Sequence, residues 1–410
     1  MKISGFIIWG VLLVTTACWA KGAYYEFGPE ELIDANGTII QVPGYSVPSL
    51  VDWNSDGLPD LMVGHGGGEY TEAKIRIYLN SGTISQPLYQ DFFFVTNAGT
   101  MDLIFPAANC MGCFPRLVCF DNDEAVDLLV GLSDGSIRFF RNWNIGPEPY
   151  FNGYQQLKAI DIDCGCHNDI DASPRATLDA LDYSGNGKTD LIVGGMDGRI
   201  RPIYNERDTG TLLLVEQLPV ITSDGADLRV ATGRSSPIVF DLDGDGLRDL
   251  ICGNTAGQML FYKNIGLEFD PVYDVNVVYL TSEGAPIDLA GSPRSRPSLC
   301  YWPDQDMAAP ADAYPDLLIG AGDGKIHLFR GQRAPEDLNG DAVINLLDWA
   351  HLANRWGETA DPNGIVGDLN QDHILDFIDV FELCSQWGQG YGAQGYQKLH
   401  PIDPNETEAL

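Results

Sequence analysis

The chain has 410 residues and a formal net charge of −34. That is too long for one ordinary core and suits a repeat architecture with an appendage. An acidic surplus of this size argues against nucleic acid and anionic membrane as partners, since both reward Lys and Arg, and its concentration in spaced Asp clusters favours metal ligation over a merely solvated surface.

Residues 1–20 read as a secretory signal, with Lys2, an apolar run from Phe6 to Val14, and small residues before Cys18-Trp19-Ala20, where cleavage is expected after Ala20. The run is too short to span a bilayer, and no later segment is a transmembrane candidate. Thr15-Thr16-Ala17-Cys18 also resembles a bacterial lipoprotein box, so the chain is expected to be secreted or at the cell surface, with lipidation at Cys18 as the alternative. Export permits disulfides. Cys110, Cys113, Cys164 and Cys166 sit in loop-like sequence, which leaves local pairs, cross pairs or a zinc cluster with His167 open, and loop disulfides are the expectation. Cys119, Cys252, Cys300 and Cys384 lie in apolar runs and read as small buried hydrophobes.

From residue 21 to 331 one unit recurs: Pro48 to Asn80, Pro115 to Asn142, Thr177 to Asn205, Ser236 to Asn264 and Pro297 to Arg330. Each opens on an acidic turn that feeds an apolar strand and then a second strand. The last Asp of each turn falls at Asp60, Asp127, Asp190, Asp249 and Asp316, a period of about sixty residues. Between units come a Pro with an aromatic, another apolar strand and a Gly-containing turn, so each period supplies about four short strands. A four-stranded unit of that length repeated around a ring predicts an all-β fold, a β-propeller of five blades. The segment from Tyr24 to Ile40 matches the outer half of a period, and the array stops at Arg330 without one. Joined in one blade, the two fragments close the ring and leave no open sheet edge.

The turns place oxygens at alternate positions, which suits a hard cation taking six to eight oxygen ligands, Ca²⁺ before Mg²⁺. The candidate ligands are Asp52, Asn54, Asp56 and Asp60 in the first turn, Asp182, Ser184, Asn186 and Asp190 in the third, and Asp241, Asp243, Asp245 and Asp249 in the fourth, which is complete. The second retains Asp121, Asp123 and Asp127 but has Cys119 in place of the first Asp, and a thiol is a poor partner for a hard cation. In the fifth, Asp304, Asp306, Asp312 and Asp316 straddle an insertion. The rival reading throughout is an Asx turn with no metal. His65, within a Gly-rich stretch, reads as part of a hairpin turn, because the Gly-Lys-Ser/Thr continuation of a phosphate loop is missing.

These turns, with the Gly-x-x-Asp-Gly-x-Ile pattern that follows them, resemble the FG-GAP/VCBS family of calcium-binding propeller repeats. Asp134-Gly135, Asp197-Gly198 and Asp323-Gly324 carry that second pattern. Over 332–390 the plan changes to two loop-helix units that resemble a type I dockerin, an EF-hand-like module. The resemblance implies Ca²⁺ at Asp337, Asn339, Asp341, Asn345 and Asp348, and again at Asp368, Asn370, Asp372, Asp376 and Asp379. Ala342 and His373 stand where Gly makes the sharp turn of such a loop. The resemblance implies docking to a cohesin-like domain, although Leu346-Leu347 and Phe377-Ile378 stand where family members commonly carry polar partner-reading residues, a departure from a standard cohesin pairing. Residues 391–410 form a polar tail. The resulting expectation is an exported, calcium-binding, non-catalytic propeller that binds a glycan or an extracellular protein. The dockerin-like module would carry it into an assembly linked to polysaccharide use. The alternative is a polysaccharide-active lyase or glycoside hydrolase built on the same scaffold.

Overall fold

The computed structural model describes residues 26–332 except 68–71, 85, 108–110, 122, 124, 145, 162–163, 171, 208–211, 244, 290, 292 and 301–314. The expected signal segment, the dockerin-like positions, Cys110, Cys384 and Asp304, Asp306 and Asp312 lie outside the described residues. Among those described there is no helix.

The strands group into five antiparallel blades. Blade 1 runs Ser46–Val51, Asp60–His65, Ile75–Asn80, Tyr89–Phe94, and blade 2 runs Cys113–Val118, Asp127–Leu132, Ile137–Phe140, Gln155–Gln156. Blade 3 is Thr177–Leu181, Asp190–Gly194, Ile200–Asn205, Leu214–Glu216, and blade 4 is Ser236–Phe240, Asp249–Gly253, Met259–Tyr262, Val278–Tyr279. Blade 5 takes Arg296–Cys300, Asp316–Gly320 and Ile326–Gly331 from the end of the array and its fourth strand, Glu26–Leu32, from the start. The register Glu30↔Phe329, Leu32↔His327 is the ring closure expected from the two half-periods. Blades 3 and 5 each gain a hairpin that sequence did not foresee, Lys158–Ile160 with His167–Asp169 and Thr281–Ser282 with Ala285–Pro286, joined to the fourth strand in parallel.

The second strands are buried along their whole length. They lie between two strands of their own blade and two neighbouring blades, which is why Asp60-Leu-Met-Val-Gly and its counterparts are continuous apolar runs rather than alternating ones. The cores accordingly sit between blades: Met62 and Ile77 of blade 1 pack with Leu128 and Val130 of blade 2, and Leu318 and Leu328 of blade 5 pack with Leu61 and Val63 of blade 1. A glycine in each second strand permits this approach. A Cβ on Gly131 would fall 2.0 Å from the carbonyl oxygen of Ala176 in blade 3, and one on Gly320 would fall 2.2 Å from that of Ser46 in blade 1. Real Cβ atoms do not approach backbone that closely, so these positions exclude any side chain. The first strands touch around a closed circuit, each blade to the next and blade 5 to blade 1.

Cys164 and Cys166 form a disulfide in the turn of the blade 3 hairpin, while Cys113 is free and buried, which removes a cross pair or zinc site between them. Cys252 is buried as expected. Cys119 is exposed instead, because it stands at a turn position where other repeats carry polar side chains, and its thiol donates to the carbonyls of Asp123 and Ala125 at 3.5 and 3.2 Å.

The closing strand carries one titratable contact. His327 Nδ1 faces Glu30 Oε1 of the N-terminal strand at 2.5 Å, and Nε2 faces Asp323 Oδ1 at 3.4 Å. Burial pushes the imidazole pKa down, but the hydrogen bonds to Asp323 and Glu30 outweigh it and leave it above the ordinary value. A raised histidine pKa stabilises the fold fully below about 6.5, the unfolded value, and that contribution is lost as pH rises through the folded one. The melting-temperature difference between wild type and His327→Gln should therefore be larger at pH 5.5 than at pH 8.5. An equal difference at both would show that closure does not depend on this proton.

Candidate metal centre

The acidic turns of blades 1 to 4 each join the end of a first strand to the start of a second and so lie on one face of the ring, and in blade 5 Asp316 opens the corresponding second strand. The last Asp of each turn opens the second strand and is at most 1% exposed. In every blade its Oδ1 accepts the backbone N–H that ends or follows the third strand: from Asn80 to Asp60 at 2.7 Å, Asn142 to Asp127 at 2.8 Å, Asn205 to Asp190 at 2.7 Å, Asn264 to Asp249 at 2.8 Å and Gly331 to Asp316 at 2.8 Å. Oδ2 turns the other way, accepting from Trp53 in the first loop at 2.9 Å and from Tyr183 and Ser184 in the third at 3.0 and 2.8 Å. The carboxylate therefore clamps the turn to the end of the third strand.

The closing Asn extends the clamp. Asn80 Oδ1 accepts from Gly82 and Leu88, Asn142 Oδ1 from Asn144 and Tyr150, and Asn264 Oδ1 from Gly266 and Val272. Sequence showed this Asn as a marker of the repeat, and the structure gives it a role: it caps the link from third to fourth strand.

Burial pushes the carboxyls of Asp60 and Asp190 above the ordinary range. Asp127 is pushed up to about 6, first by burial and then by the charges of Asp121 and Asp123, against the pull of its backbone hydrogen bonds. A cation in the turn would reverse this repulsion.

The turns hold their remaining side chains in two ways. In the first, Asp52 accepts from the N–H groups of Asp56 and Gly57, both at 3.1 Å, while Asp56 Oδ1 accepts from Leu58 at 2.8 Å and Asn54 Nδ2 donates to Asp56 Oδ2. The third repeats this with Asp182 bound to the N–H of Asn186 and Gly187, and Asn186 to that of Lys188. In the fourth, Asp241 accepts from Gly246 and Asp245 from Leu247. Its Asp241, Asp243 and Asp249 offer carboxylate oxygens within 4.8 Å of one another, as do Asp121, Asp123 and Asp127 in the second. Hard oxygens gathered on a short turn are the donor set calcium takes.

The second turn differs. Arg141 Nε lies 3.0 Å from Asp121 Oδ2 and a second guanidinium nitrogen 3.0 Å from Asp123 Oδ2. Arg207 of blade 3 also donates to the Asp121 carbonyl. Where Cys119 has replaced a carboxylate, a guanidinium already supplies positive charge. Arg141 lies 20 positions from Asp121 and 18 from Asp123 in the chain, which is why the turn's own sequence does not disclose the contact.

Residues 182–252, from the third acidic turn to the second strand of blade 4, match the family model described as FG-GAP-like repeat. No curated protein matches the chain. Two solved structures that it resembles are of BBS1N in complex with ARL6DN. The mercury-soaked one has 15% sequence identity and a TM-score of 0.31, the lead-soaked one 16% and 0.32, and each alignment covers 72% of this chain and 82% of the other. Among the described residues no helix is long and apolar enough to cross a membrane. Over its described residues the chain is an all-β, five-bladed propeller, and it contains FG-GAP-like repeat sequence at 182–252.

Proposed function

We propose that this protein is an exported, non-catalytic binding scaffold whose ring is pinned by Ca²⁺ in the acidic turns and which displays other surfaces to a glycan or an extracellular protein. The observation that carries the reading is the clamp. The last Asp of each turn is buried and spends its oxygens on backbone N–H groups, which suits a residue that holds a blade in shape and not one that meets a substrate. The residues that would hold the ion are Asp52, Asn54, Asp56 and Asp60, Asp182, Ser184, Asn186 and Asp190, and Asp241, Asp243, Asp245 and Asp249. Bound there, Ca²⁺ supplies charge neutralisation and a fixed turn.

The dockerin-like resemblance of 332–390 supports the second half of the reading, attachment to a surface or assembly. Its departures at Leu346-Leu347 and Phe377-Ile378 favour a partner other than a standard cohesin. A glycan array run beside a polysaccharide-degradation assay tests the whole. Binding without turnover is expected, and release of sugar or of unsaturated product would replace the scaffold with the enzyme.

A further inference from the structure

The hairpin that widens blade 3 carries chemistry that the clamp and the acidic turns do not use. It joins the fourth strand of the blade through Lys158–Ile160, so among the described residues His167–Asp169 is an outer edge of that six-stranded sheet. Cys164 and Cys166 are bonded in the turn, with one residue between them and Cα atoms 5.3 Å apart. Every residue from Cys164 to Asp169 is exposed. Gly165 crosses the turn with a φ of 64°, and a Cβ there would meet nothing within 4 Å. An incoming thiol therefore reaches the bond without displacing structure.

This disulfide is not what closes the turn. Hydrogen bonds that involve no sulfur do so: the Asp161 N–H donates to the Cys166 carbonyl at 3.0 Å and the Gly165 N–H to the Asp161 carbonyl at 2.8 Å, while Lys158 pairs with Asp169 at 3.2 Å across the hairpin. Loop-closure entropy grows with the length enclosed, so a bond with one residue between its cysteines restricts the unfolded chain very little. An exposed bond that the fold hardly needs has the properties of a labile disulfide and not of a structural one. One contact sets the direction of attack. The Cys166 N–H donates to Cys164 Sγ at 3.3 Å, and a hydrogen bond to sulfur favours the thiolate. Cys164 is thus the better leaving group, and Cys166 Sγ, with Asn168 Nδ2 3.7 Å away, is the sulfur to be attacked. The buried thiols are unsuited to this chemistry, because burial pushes those of Cys113 and Cys252 up to about 12.

We propose that Cys164–Cys166 is a thiol–disulfide exchange site that transfers its disulfide to a pair of thiols in another protein. A thiolate of the partner attacks Cys166 Sγ, the bond between the two cysteines breaks, and its electron pair leaves on Cys164. The partner's second thiolate then attacks the partner sulfur of the mixed disulfide, and Cys166 leaves as a thiolate. The partner is oxidised by two electrons, Cys164 and Cys166 are reduced, and they take up the two protons that the partner's thiols released. The edge strand His167–Asp169 begins next to Cys166 and offers its backbone to an extended partner segment by strand addition. That suits an unfolded or partly folded chain and asks for no particular sequence. The setting, a compartment where protein disulfides form, rests on the export proposed above, whereas the chemistry does not.

The test mixes the oxidised full chain with a reduced synthetic peptide bearing two cysteines, and follows Cys164 and Cys166 by alkylation and mass spectrometry of the fragment that holds them. Wild type should oxidise the probe at least about tenfold faster than the Cys164→Ser, Cys166→Ser double variant, which keeps every other cysteine. Reduced glutathione, quenched with acid, should be caught as a mixed disulfide on Cys166. In a buffer of reduced and oxidised glutathione the pair should be partly reduced, whereas a structural disulfide resists that pool. The double variant should melt within about 2 °C of wild type, since the turn closes without sulfur. A pair that stays oxidised in the glutathione buffer would overturn the proposal, as would a probe oxidised no faster by wild type than by the double variant. A variant that melts several degrees lower, with no exchange by wild type, would make the bond a structural staple.

Discussion

Replacing Asp190 with Ala should cost about 3–6 kcal/mol of unfolding free energy in urea with EDTA present, although the change removes only one carboxylate. Three backbone donors point at it, from Tyr183, Ser184 and Asn205. All three lose their acceptor, those of Tyr183 and Asn205 where water does not reach and that of Ser184 in a partly buried place, and a buried donor left unsatisfied costs about 1–3 kcal/mol. Asp190→Asn should fall between, since its amide keeps one acceptor oxygen but turns an NH₂ toward N–H groups. Asp182→Ala is the control. It lies in the same turn and is also a proposed ligand, but it is half-exposed, so its loss in EDTA should stay near 1 kcal/mol, the ordinary value of a hydrogen bond. Equal costs for the two Ala variants would mean that the clamp does not hold the blade together.

What the sequence disclosed and what it hid divide along a physical line. The five acidic turns, the sixty-residue period and the closure of Glu26–Leu32 onto Ile326–Gly331 were legible because each is a local pattern repeated in register. The clamp was only half legible. Asp190 and Asn205 both recur, yet nothing local says that the carboxylate of one accepts the N–H of the other across the blade. The contact of Arg141 with Asp121 and Asp123 was illegible for the same reason, since a hairpin rather than a short spacing brings them together. For Cys164 and Cys166 an exported chain favoured loop disulfides, but spacing alone did not separate a local pair from a cross pair.

First strands of five or six residues, rising about 3.3 Å each, put about 17 Å between the acidic turns and the opposite ends of those strands. A cation taken up on one face acts on the other only through the rigidity of the first strands.

Calcium should stabilise this propeller through some turns and leave another unaffected. An ion that binds only the folded chain adds about 2.7 kcal/mol per site at a concentration one hundred times its dissociation constant, so EDTA should lower the melting temperature by several degrees when the first, third and fourth turns are loaded. Asp182→Asn, which keeps the turn's shape and removes one ligand charge, should abolish the third turn's share and narrow the gap between calcium and EDTA. Asp123→Asn should behave differently. Its carboxylate is engaged by Arg141, a partly exposed pair worth about 1 kcal/mol or less, so the variant's small cost should be the same with calcium or EDTA and should shrink in high salt. Arg141→Gln completes the comparison. Without the guanidinium, Asp121, Asp123 and Asp127 stand within 4.8 Å of one another with that positive charge removed, so the variant should be less stable than wild type in EDTA and recover more on calcium addition. A wild-type melt that EDTA does not move would dismiss calcium from the turns. An Asp123→Asn cost that appears only with calcium would show that the second turn binds the ion despite Arg141.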